Sequence, residues 1–390
     1  MSNEIQLSNP PLSLYIHIPW CVRKCPYCDF NSHAIKGELP VSQYIAALLH
    51  DLEADLPMVW GRPVHSIFIG GGTPSLFPAN AIAEIISGVR ARITISPAAE
   101  ITMEANPGTL EHDSFAAYIE AGITRFSLGA QSFSDQQLKT LGRIHASDEI
   151  RQAVSGLQAA GADNFNLDLM FGLPGQTQEQ ALADLQAAIN CAPQHISHYQ
   201  LTMEPNTLFA HKPPAGLPDN DKLADIEDSC AELLQAAGFV QYEVSAWAKT
   251  SKNIDYRSQH NLNYWRFGDY LGIGAGAHGK LTLAAQNRVI RTAKHRHPDT
   301  YLEQRDATFI SKKWQLESKD LIFEFFLNQL RLKEGVRKTD FSVRTGLSWE
   351  RVEELVKKMV ASGLLLDHKQ LLVSSALGWR HLNVLQEQFL

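Results

Sequence analysis

The segment SLYIHIPWCVRKCPYCDFNSH, residues 13–33, joins a short apolar run to a loop that carries three of the chain's five cysteines. The run has the length and composition of a buried strand. Cys21, Cys25 and Cys28 follow it with the spacing C-x3-C-x2-C, so three thiols lie within eight residues. The segment therefore predicts a strand that is followed directly by a metal-binding or reactive loop.

Five further apolar runs follow the first, and helical patterns separate them. We predict strands at residues 14–18, 64–69, 100–104, 125–129, 164–170 and 195–201. We predict helices at residues 42–56, 78–93, 110–121, 147–160, 177–189 and 220–237. Parallel neighbours need helical crossovers, so six β-α units predict an α/β fold with a parallel sheet. A partial (β/α)6 barrel is our first choice and a flat, doubly wound sheet is the alternative.

The pattern changes after residue 238. Residues 239–283 are rich in aromatic residues and glycines, and residues 287–298 are basic and polar, which is typical of a linker. From about Lys319 onward, a helix, a helix-turn-helix pattern and a hairpin predict a module that resembles a winged helix. We therefore expect a core at residues 1–240, an extension with a linker at 241–300, and a smaller C-terminal α+β module at 301–390.

Composition excludes several classes of function. A formal net charge of −7 argues against a generally basic nucleic-acid binder. No apolar stretch is long enough to span a membrane, and the N-terminal MSNEIQLSNPP lacks the pattern of a signal peptide. We therefore expect a cytoplasmic protein that has, at most, a peripheral association with a membrane.

Clustered cysteines in a reducing compartment bind metal or react more often than they form disulfides. Unrelated thiols are one interpretation of the cluster. A second is a zinc site, for which His17 or His33 would supply the fourth ligand, since structural zinc takes four. A third is an iron–sulfur cluster that is held by three thiolates and leaves one iron open. The third interpretation explains why there are three cysteines rather than four.

Polar residues and glycines lie where several predicted strands end. The carboxyl ends of parallel strands form the ligand-binding edge in both folds that we consider. The glycines of IFIGGGTPS would let the backbone approach a ligand closely. The candidates at this edge are Gly71, Gly72, Thr73, Glu104, Gln131, Asp168 and, for pairing with a carboxylate, Arg143.

The motif CVRKCPYC, with an aromatic residue before its third cysteine, resembles the signature of the radical S-adenosylmethionine (SAM) superfamily. The resemblance implies that Cys21, Cys25 and Cys28 hold a [4Fe-4S] cluster and that SAM chelates the fourth iron. It also implies a six-unit partial barrel with the cluster after the first strand. It leaves open whether SAM is cleaved or only bound.

Longer strings, among them YIHIPWC, TMEANPG and NLDLMFGLPGQT, resemble the HemN/HemW group of that superfamily over nearly the whole chain. The group comprises oxygen-independent coproporphyrinogen dehydrogenases and haem chaperones. In the group, residues at the matching positions contact SAM. The resemblance implies that role for Tyr15, Tyr27, Gly71, Gly72, Thr73, Glu104, Gln131, Arg143 and Asp168.

Three features separate the two branches of the group. The dehydrogenases typically carry a fourth cysteine where this chain has Phe30, and a longer segment than the 20 residues that precede Cys21 here. The string HNLNYW contains H-N-x-x-Y-W, which resembles the haem-binding motif of the chaperones. The resemblance implies haem as a cofactor, with His260 as its candidate ligand and His278 as a weaker one. A packed, structural His260 is the alternative.

We therefore expect a haem chaperone that binds haem and transfers it to haem-requiring respiratory proteins. The alternative is a SAM-dependent oxidative decarboxylation of coproporphyrinogen III. A nucleic-acid-linked radical enzyme would rest on the C-terminal module alone. The second helix of that module, SWERVEELVKKMV, mixes Glu with Lys, so we predict no nucleic-acid partner and expect a packing or docking role.

Overall fold

The computed structural model describes residues 5–109, 113–304 and 308–390. Its strands are β1 Leu12–Ile18, β2 Trp20–Cys21, β3 His33–Ala34, β4 Val64–Gly71, β5 Ile95–Ala105, β6 Arg125–Gln131, β7 Phe165–Phe171, β8 His195–Gln200, β9 Phe239–Gln241, β10 Ala246–Lys249, β11 Asp269–Ile273, β12 His278–Leu283, β13 Arg288–Lys294, β14 Ile310–Gln315, β15 Val336–Arg337, β16 Leu365–His368 and β17 Leu371–Ser374.

The α-helices are α1 Val41–Asp55, α2 Ala79–Arg90, α3 Phe115–Glu120, α4 Asp135–Thr140, α5 Ser147–Ala159, α6 Gln178–Asn190, α7 Leu208–His211, α8 Asn220–Ala236, α9 Gln259–Trp265, α10 Pro298–Leu302, α11 Ser318–Gln329, α12 Lys338–Thr345, α13 Glu350–Ala361, α14 Ala376–Arg380 and α15 Leu382–Glu387. All six predicted strands of the core are present, and so are the helices between them. The predicted helix 110–121 is α3, and residues 110–112 lie outside the described residues.

Six parallel strands form the centre of the main sheet, in the order β1-β4-β5-β6-β7-β8. Each strand pairs with the next in the chain, and a right-handed crossover then brings every helix to the same side of the sheet. A doubly wound sheet would instead reverse its order at the first strand. The six strands therefore form the partial (β/α)6 barrel, and the flat alternative is wrong.

Polar residues occupy the inner face of the barrel. Ser13 of β1 is paired in register with Ser66 of β4, and their hydroxyl oxygens lie 2.7 Å apart. Further round, Nδ1 of His195 lies 2.7 Å from Oδ1 of Asn166. The opposite face of the same strands carries Leu, Ile and Phe residues, which pack against the helices as the main hydrophobic core. The strands are thus apolar outside and polar inside, which prepares the interior for a polar ligand.

The sheet extends beyond the barrel on both sides. On one side β11 pairs with β1, and β12, β13 and β14 continue it; on the other, β10 and β9 follow β8. The interpretation of residues 287–298 as a linker is wrong, because Arg288–Lys294 is strand β13. Its buried Lys294 pairs with Asp51 and Asp55 of α1, which fixes the strand to the barrel. The division of the chain at residues 240 and 300 stays a prediction, and the sheet crosses both positions.

The C-terminal module has the order of elements that the sequence predicts. Helix α11 is followed by the short strand β15, helices α12 and α13, and the hairpin β16–β17, with which β15 forms a three-stranded sheet. Its core is a second hydrophobic cluster that includes Phe325, Phe326 and Phe341. In the described part of the chain, no helix is both long enough and apolar enough to cross a membrane.

Candidate functional site

The cysteine loop follows β1 at the carboxyl end of the barrel. Cys21, Cys25 and Cys28 are unpaired thiols that are partly exposed. Burial raises the pKa of Cys21 and of Cys28, and the neighbouring thiols raise it further. The three sulfurs are thus close enough to interact electrostatically. A bound metal would stabilise their thiolate forms in place of solvent, so the thiols would be deprotonated when they bind it.

Of the two histidines considered for zinc, His17 is engaged, and His33 keeps one ring nitrogen, Nε2, without a hydrogen-bond partner in the described residues. Both ring nitrogens of His17 are engaged, with Nδ1 2.9 Å from the Tyr15 hydroxyl and Nε2 2.9 Å from the Asn31 carbonyl oxygen. His33 packs edge-on against His297. Among the described residues, no group of three or more His, Cys, Asp or Glu side chains is arranged to hold a metal ion.

The glycine turn at the end of β4 lies against the start of the cysteine loop. Gly71 has a φ of +116°, and a Cβ added there would lie 2.6 Å from Nδ1 of His17. A Cβ on Gly72 would lie 2.7 Å from the backbone carbon of Trp20. No other residue type fits these two positions without displacing β1 or the loop. Thr73 is buried beside them, and its side chain is hydrogen-bonded to Cys21.

Two carboxylates lie on the inner face next to this turn. Oε2 of Glu104 accepts the backbone N–H of Gly71 at 3.0 Å. Burial and, to a smaller extent, the nearby Asp168 raise the pKa of Glu104 to about 7. Asp168 accepts from Ser127 at 2.9 Å and from Asn166 at 2.8 Å, while burial raises its pKa as well. The pair can therefore accept a polar or cationic group that enters the barrel.

Arg143 links the cysteine loop to two strand ends. Its Nη1 donates to Sγ of Cys25 at 3.6 Å, and its Nη2 donates to the Asn106 side chain at 2.8 Å and to the Gly129 carbonyl at 2.9 Å. These three contacts hold the guanidinium at the barrel rim. Its positive charge therefore lies beside the thiol of Cys25.

Gln131 holds a strained backbone conformation at the end of β6, with a φ of +70°. A residue other than glycine rarely adopts this region, and such strain is concentrated at functional sites. Its Oε1 accepts the Tyr199 hydroxyl at 2.7 Å, which fixes the side chain across the barrel mouth.

A cavity of about 430 Å³ joins these features. That volume is typical of a small-molecule site. Of the thirteen residues that the sequence predicts, eleven line it: Cys21, Cys25, Tyr27, Cys28, Gly71, Gly72, Thr73, Glu104, Gln131, Arg143 and Asp168. Their individual roles stay predictions, but the fold brings all eleven to one place.

Tyr15 and His260 do not line this cavity. The Tyr15 hydroxyl is bonded to His17, below the glycine turn. His260 is fully buried, with Nδ1 3.1 Å from the Ser66 hydroxyl and Nε2 3.0 Å from the Tyr264 hydroxyl. Burial lowers the pKa of His260 to about 3. In this arrangement neither ring nitrogen is free to bind iron, so the geometry supports the structural alternative.

Helix α9 nevertheless reaches the cavity by its other side. Asn261 and Trp265, one turn apart, both line the cavity. His260 and Tyr264 occupy the neighbouring face, where His260 packs against β1 and β4 and Tyr264 packs against Tyr270 of β11. The string H-N-x-x-Y-W therefore divides into an anchoring pair and a cavity-lining pair. The sequence analysis selected the motif but predicted neither this helix nor the direction in which each pair points.

The sequence analysis did not select several of the residues that line the cavity. Asn106 follows β5 directly in EANPG, and the strand-end argument that selects Glu104 could have found it. Ser127, Ser197 and Tyr199 follow from the alternation along β6 and β8. No local sequence pattern points to Glu243 or Arg331, because tertiary packing alone brings them to the cavity.

Comparison with known proteins agrees with this fold and loop. The family model of the radical SAM superfamily matches residues 15–188, and that of the HemN C-terminal domain matches residues 316–381. The solved structure of the coproporphyrinogen III oxidase HemN of Escherichia coli aligns with a TM-score of 0.80 at 20% sequence identity, over 98% of this chain and 90% of that one. The chain is thus a radical SAM protein by its fold and its cysteine loop.

Curated relatives define the family more narrowly. The protein named "Heme chaperone HemW" of Escherichia coli strain K12 is 50% identical over 381 residues, which cover 98% of each chain. The protein of that name from Haemophilus influenzae is 49% identical over 385 residues, again 98% of each chain. The chain belongs to this HemW family.

Proposed function

We propose that this chain is a haem chaperone. It holds a [4Fe-4S] cluster through Cys21, Cys25 and Cys28, binds SAM beside the cluster, and passes haem to haem-requiring respiratory proteins. The observation that carries the proposal is the cavity in which three thiols, the glycine turn and the residues of α9 meet. The names of the relatives add support, since they describe haem chaperones over the same length of chain.

The donor set fits an iron–sulfur cluster with one open iron. Three soft thiolates come from one loop, and both ring nitrogens of His17, one of the two histidines considered for zinc, are already engaged. The Arg143 guanidinium lies 3.6 Å from Sγ of Cys25, where it would stabilise the thiolate. When bound, the cluster and SAM supply one-electron chemistry, and the protein supplies position and shielding.

The wall next to the thiols fits SAM. Gly71, Gly72 and Thr73 line the cavity. Their N–H groups are bonded to Glu104, Ile18 and Trp20, so they would meet SAM through their carbonyl oxygens. Glu104 and Asp168 would pair with the positive charge of an ammonium or sulfonium group. Tyr27 packs among Met170, Leu201 and other apolar residues, as a side chain beside an adenine would. For Tyr15 we propose an indirect role, through its hydrogen bond to His17.

Phe30 supports the chaperone over the dehydrogenase. Its side chain is 58% exposed and lines the cavity mouth. Single exposed apolar side chains are common on protein surfaces, but one at a ligand entrance would suit contact with an apolar macrocycle. We place the protein in the cytoplasm, from which it would meet respiratory proteins at the membrane through partner contacts.

Haem delivery is the direct test of the proposal. Purified protein with its cluster and with SAM is loaded with haem and mixed with an apo-cytochrome of the b type. We expect the Soret band of the cytochrome to form faster than it does from free haem at the same concentration. A cytochrome that gains haem no faster than from free haem, or a chain that retains none after gel filtration, overturns the proposal.

A further inference from the structure

The cavity wall continues past the strand ends onto a group of four side chains that we call the arginine corner. Glu243 lies just after β9, Asn261 and Trp265 lie on α9, and Arg331 follows α11 in the C-terminal module. The sequence places Glu243 and Arg331 almost 90 residues apart. The residues proposed to bind SAM lie elsewhere on the wall, so the arginine corner is available to another ligand.

Backbone contacts fix the position of Arg331. Leu332 forms an antiparallel bridge with Glu243, and the backbone N–H of Lys333 donates to the Tyr242 carbonyl at 3.0 Å. Leu332 is also buried in a small apolar cluster with Tyr242 and Leu262. The C-terminal module is therefore attached at this point, and its arginine is held in the cavity wall.

The guanidinium of Arg331 is oriented by two neighbours. Its Cζ lies 4.3 Å from the centroid of the Trp265 ring, and Nη2 donates to Oε2 of Glu243 at 3.1 Å. Within the described residues, Nε of Arg331 and Nε1 of Trp265 are buried donors without a hydrogen-bond partner. These two atoms are closed to the cavity, whereas the Arg331 side chain as a whole is 28% exposed and lines the cavity, so a ligand would contact other atoms of that side chain.

The other two cationic side chains that line the cavity are less suited to bind a ligand carboxylate. Arg143 is bonded to Cys25 and to two strand ends, and Arg23 is exposed on the cysteine loop. Arg331 has a single protein carboxylate as its partner, although a guanidinium offers five donors in a planar fork. That fork matches the two oxygens of a carboxylate.

We propose that Arg331 anchors a peripheral carboxylate of a tetrapyrrole, with Trp265 beside the edge of the macrocycle. The inference rests on the proposed function and specifies it, since haem is a flat, apolar ring that carries two carboxylates. SAM is proposed to occupy the strand-end side of the same cavity of about 430 Å³, so only the carboxylate edge of the ring would enter at the arginine corner. The C-terminal module then completes the haem site, and His260 is a positioning residue that holds α9.

Two probes and two variants test this anchor in the full chain with its cluster. The probes are haem and haem dimethyl ester, which has the same ring without free carboxylates, titrated in the same detergent. Arg331→Gln removes the fork at nearly constant size. Arg380→Gln is the matched control, because Arg380 lies in the same module in an exposed pair with Asp228.

We expect the wild type to bind haem about ten- to a hundredfold more tightly than the ester, as a charge-assisted pair would require. Arg331→Gln should lose that preference by weakening haem alone, and Arg380→Gln should keep it. Equal binding of both probes by the wild type overturns the anchor while the chaperone stands. A wild type that binds neither probe overturns both proposals.

A folding defect would not obscure the result. If Arg331→Gln also fails to bind the ester, the preference of the wild type for haem over the ester still tests the anchor. Arg331→Lys provides a second test. Lysine keeps the charge without the fork, so we expect an intermediate preference for haem. A lysine variant that prefers haem as strongly as the wild type does would overturn the bidentate contact.

Discussion

The backbone N–H of Gly71 donates to Oε2 of Glu104 across 3.0 Å, which joins the glycine turn after β4 to the carboxylate on β5. This bond lowers the pKa of Glu104, but burial outweighs it and the pKa rises to about 7. The ligand-free barrel thus holds a carboxyl group that changes its charge near neutral pH.

A change of Glu104→Gln should flatten the pH dependence of stability. The pKa is about 7 when folded and near 4.5 when unfolded, so the group's contribution is full below pH 4.5 and is lost as the pH rises to about 7. At roughly 1.4 kcal/mol per unit, the wild type loses up to about 3 kcal/mol through this group. Urea unfolding of ligand-free protein at pH 5 and pH 8 measures the difference.

The exposed Glu120 of α3 supplies the control for that experiment. Glu120→Gln should lose stability between pH 5 and pH 8 just as the wild type does. If Glu104→Gln also shows the full loss, the buried carboxyl is not the source of the pH dependence.

Substitution of Gly71 by Ala should strongly destabilise the fold. The new Cβ would overlap the His17 ring, in addition to the strain of a φ of +116°. We expect a loss of about 3 kcal/mol or more, from overpacking and from backbone strain together. Gly161 has a φ of +76° with nothing within 4 Å, so Gly161→Ala isolates the strain alone, at about 1–2 kcal/mol. Equal losses in chemical denaturation would show that the close contact with His17 contributes nothing.

Loss of one thiol from the loop should remove the cluster. After anaerobic reconstitution, we expect Cys25→Ala to bind little iron and to lack the brown colour of an iron–sulfur cluster. Cys191, a free thiol at the end of α6, provides the comparison, and Cys191→Ala should match the wild type. A Cys25→Ala protein with full iron content would contradict the assignment of the ligands.

Replacement of His260 by Gln should leave the electronic spectrum of bound haem unchanged. Both ring nitrogens of His260 already bond to Ser66 and Tyr264, so the residue supports α9 rather than iron. We expect a loss of about 1–3 kcal/mol in stability, from a buried hydrogen bond that is made poorly or not at all. A shifted Soret maximum in the folded variant would instead identify His260 as an axial ligand.

Local patterns were sufficient to predict the barrel. Each strand from β1 to β8 that joins the barrel is an apolar run between glycines and helices, so periodicity and turn residues locate it. The glycine turn, Glu104 and Asp168 could be chosen because the ends of parallel strands meet at one edge. The thiols of the loop were predicted to lie at that edge for the same reason.

Long-range packing determined what the sequence could not show. Residues 287–298 are polar enough to resemble a linker, yet residues 288–294 pair with β12 and β14 in the sheet, and Lys294 is buried beside Asp51 and Asp55. The direction of His260 depends on how α9 enters the barrel, and Arg331 reaches the cavity only because the C-terminal module attaches beside Glu243. Such contacts have no local signal.

The most direct test of the haem chaperone is one anaerobic experiment with two readouts. Protein reconstituted with its cluster and SAM is titrated with haem, and a parallel sample is given coproporphyrinogen III. We predict a saturable Soret band and no formation of protoporphyrinogen IX. Conversion of coproporphyrinogen III without saturable haem binding would contradict the account and identify a dehydrogenase.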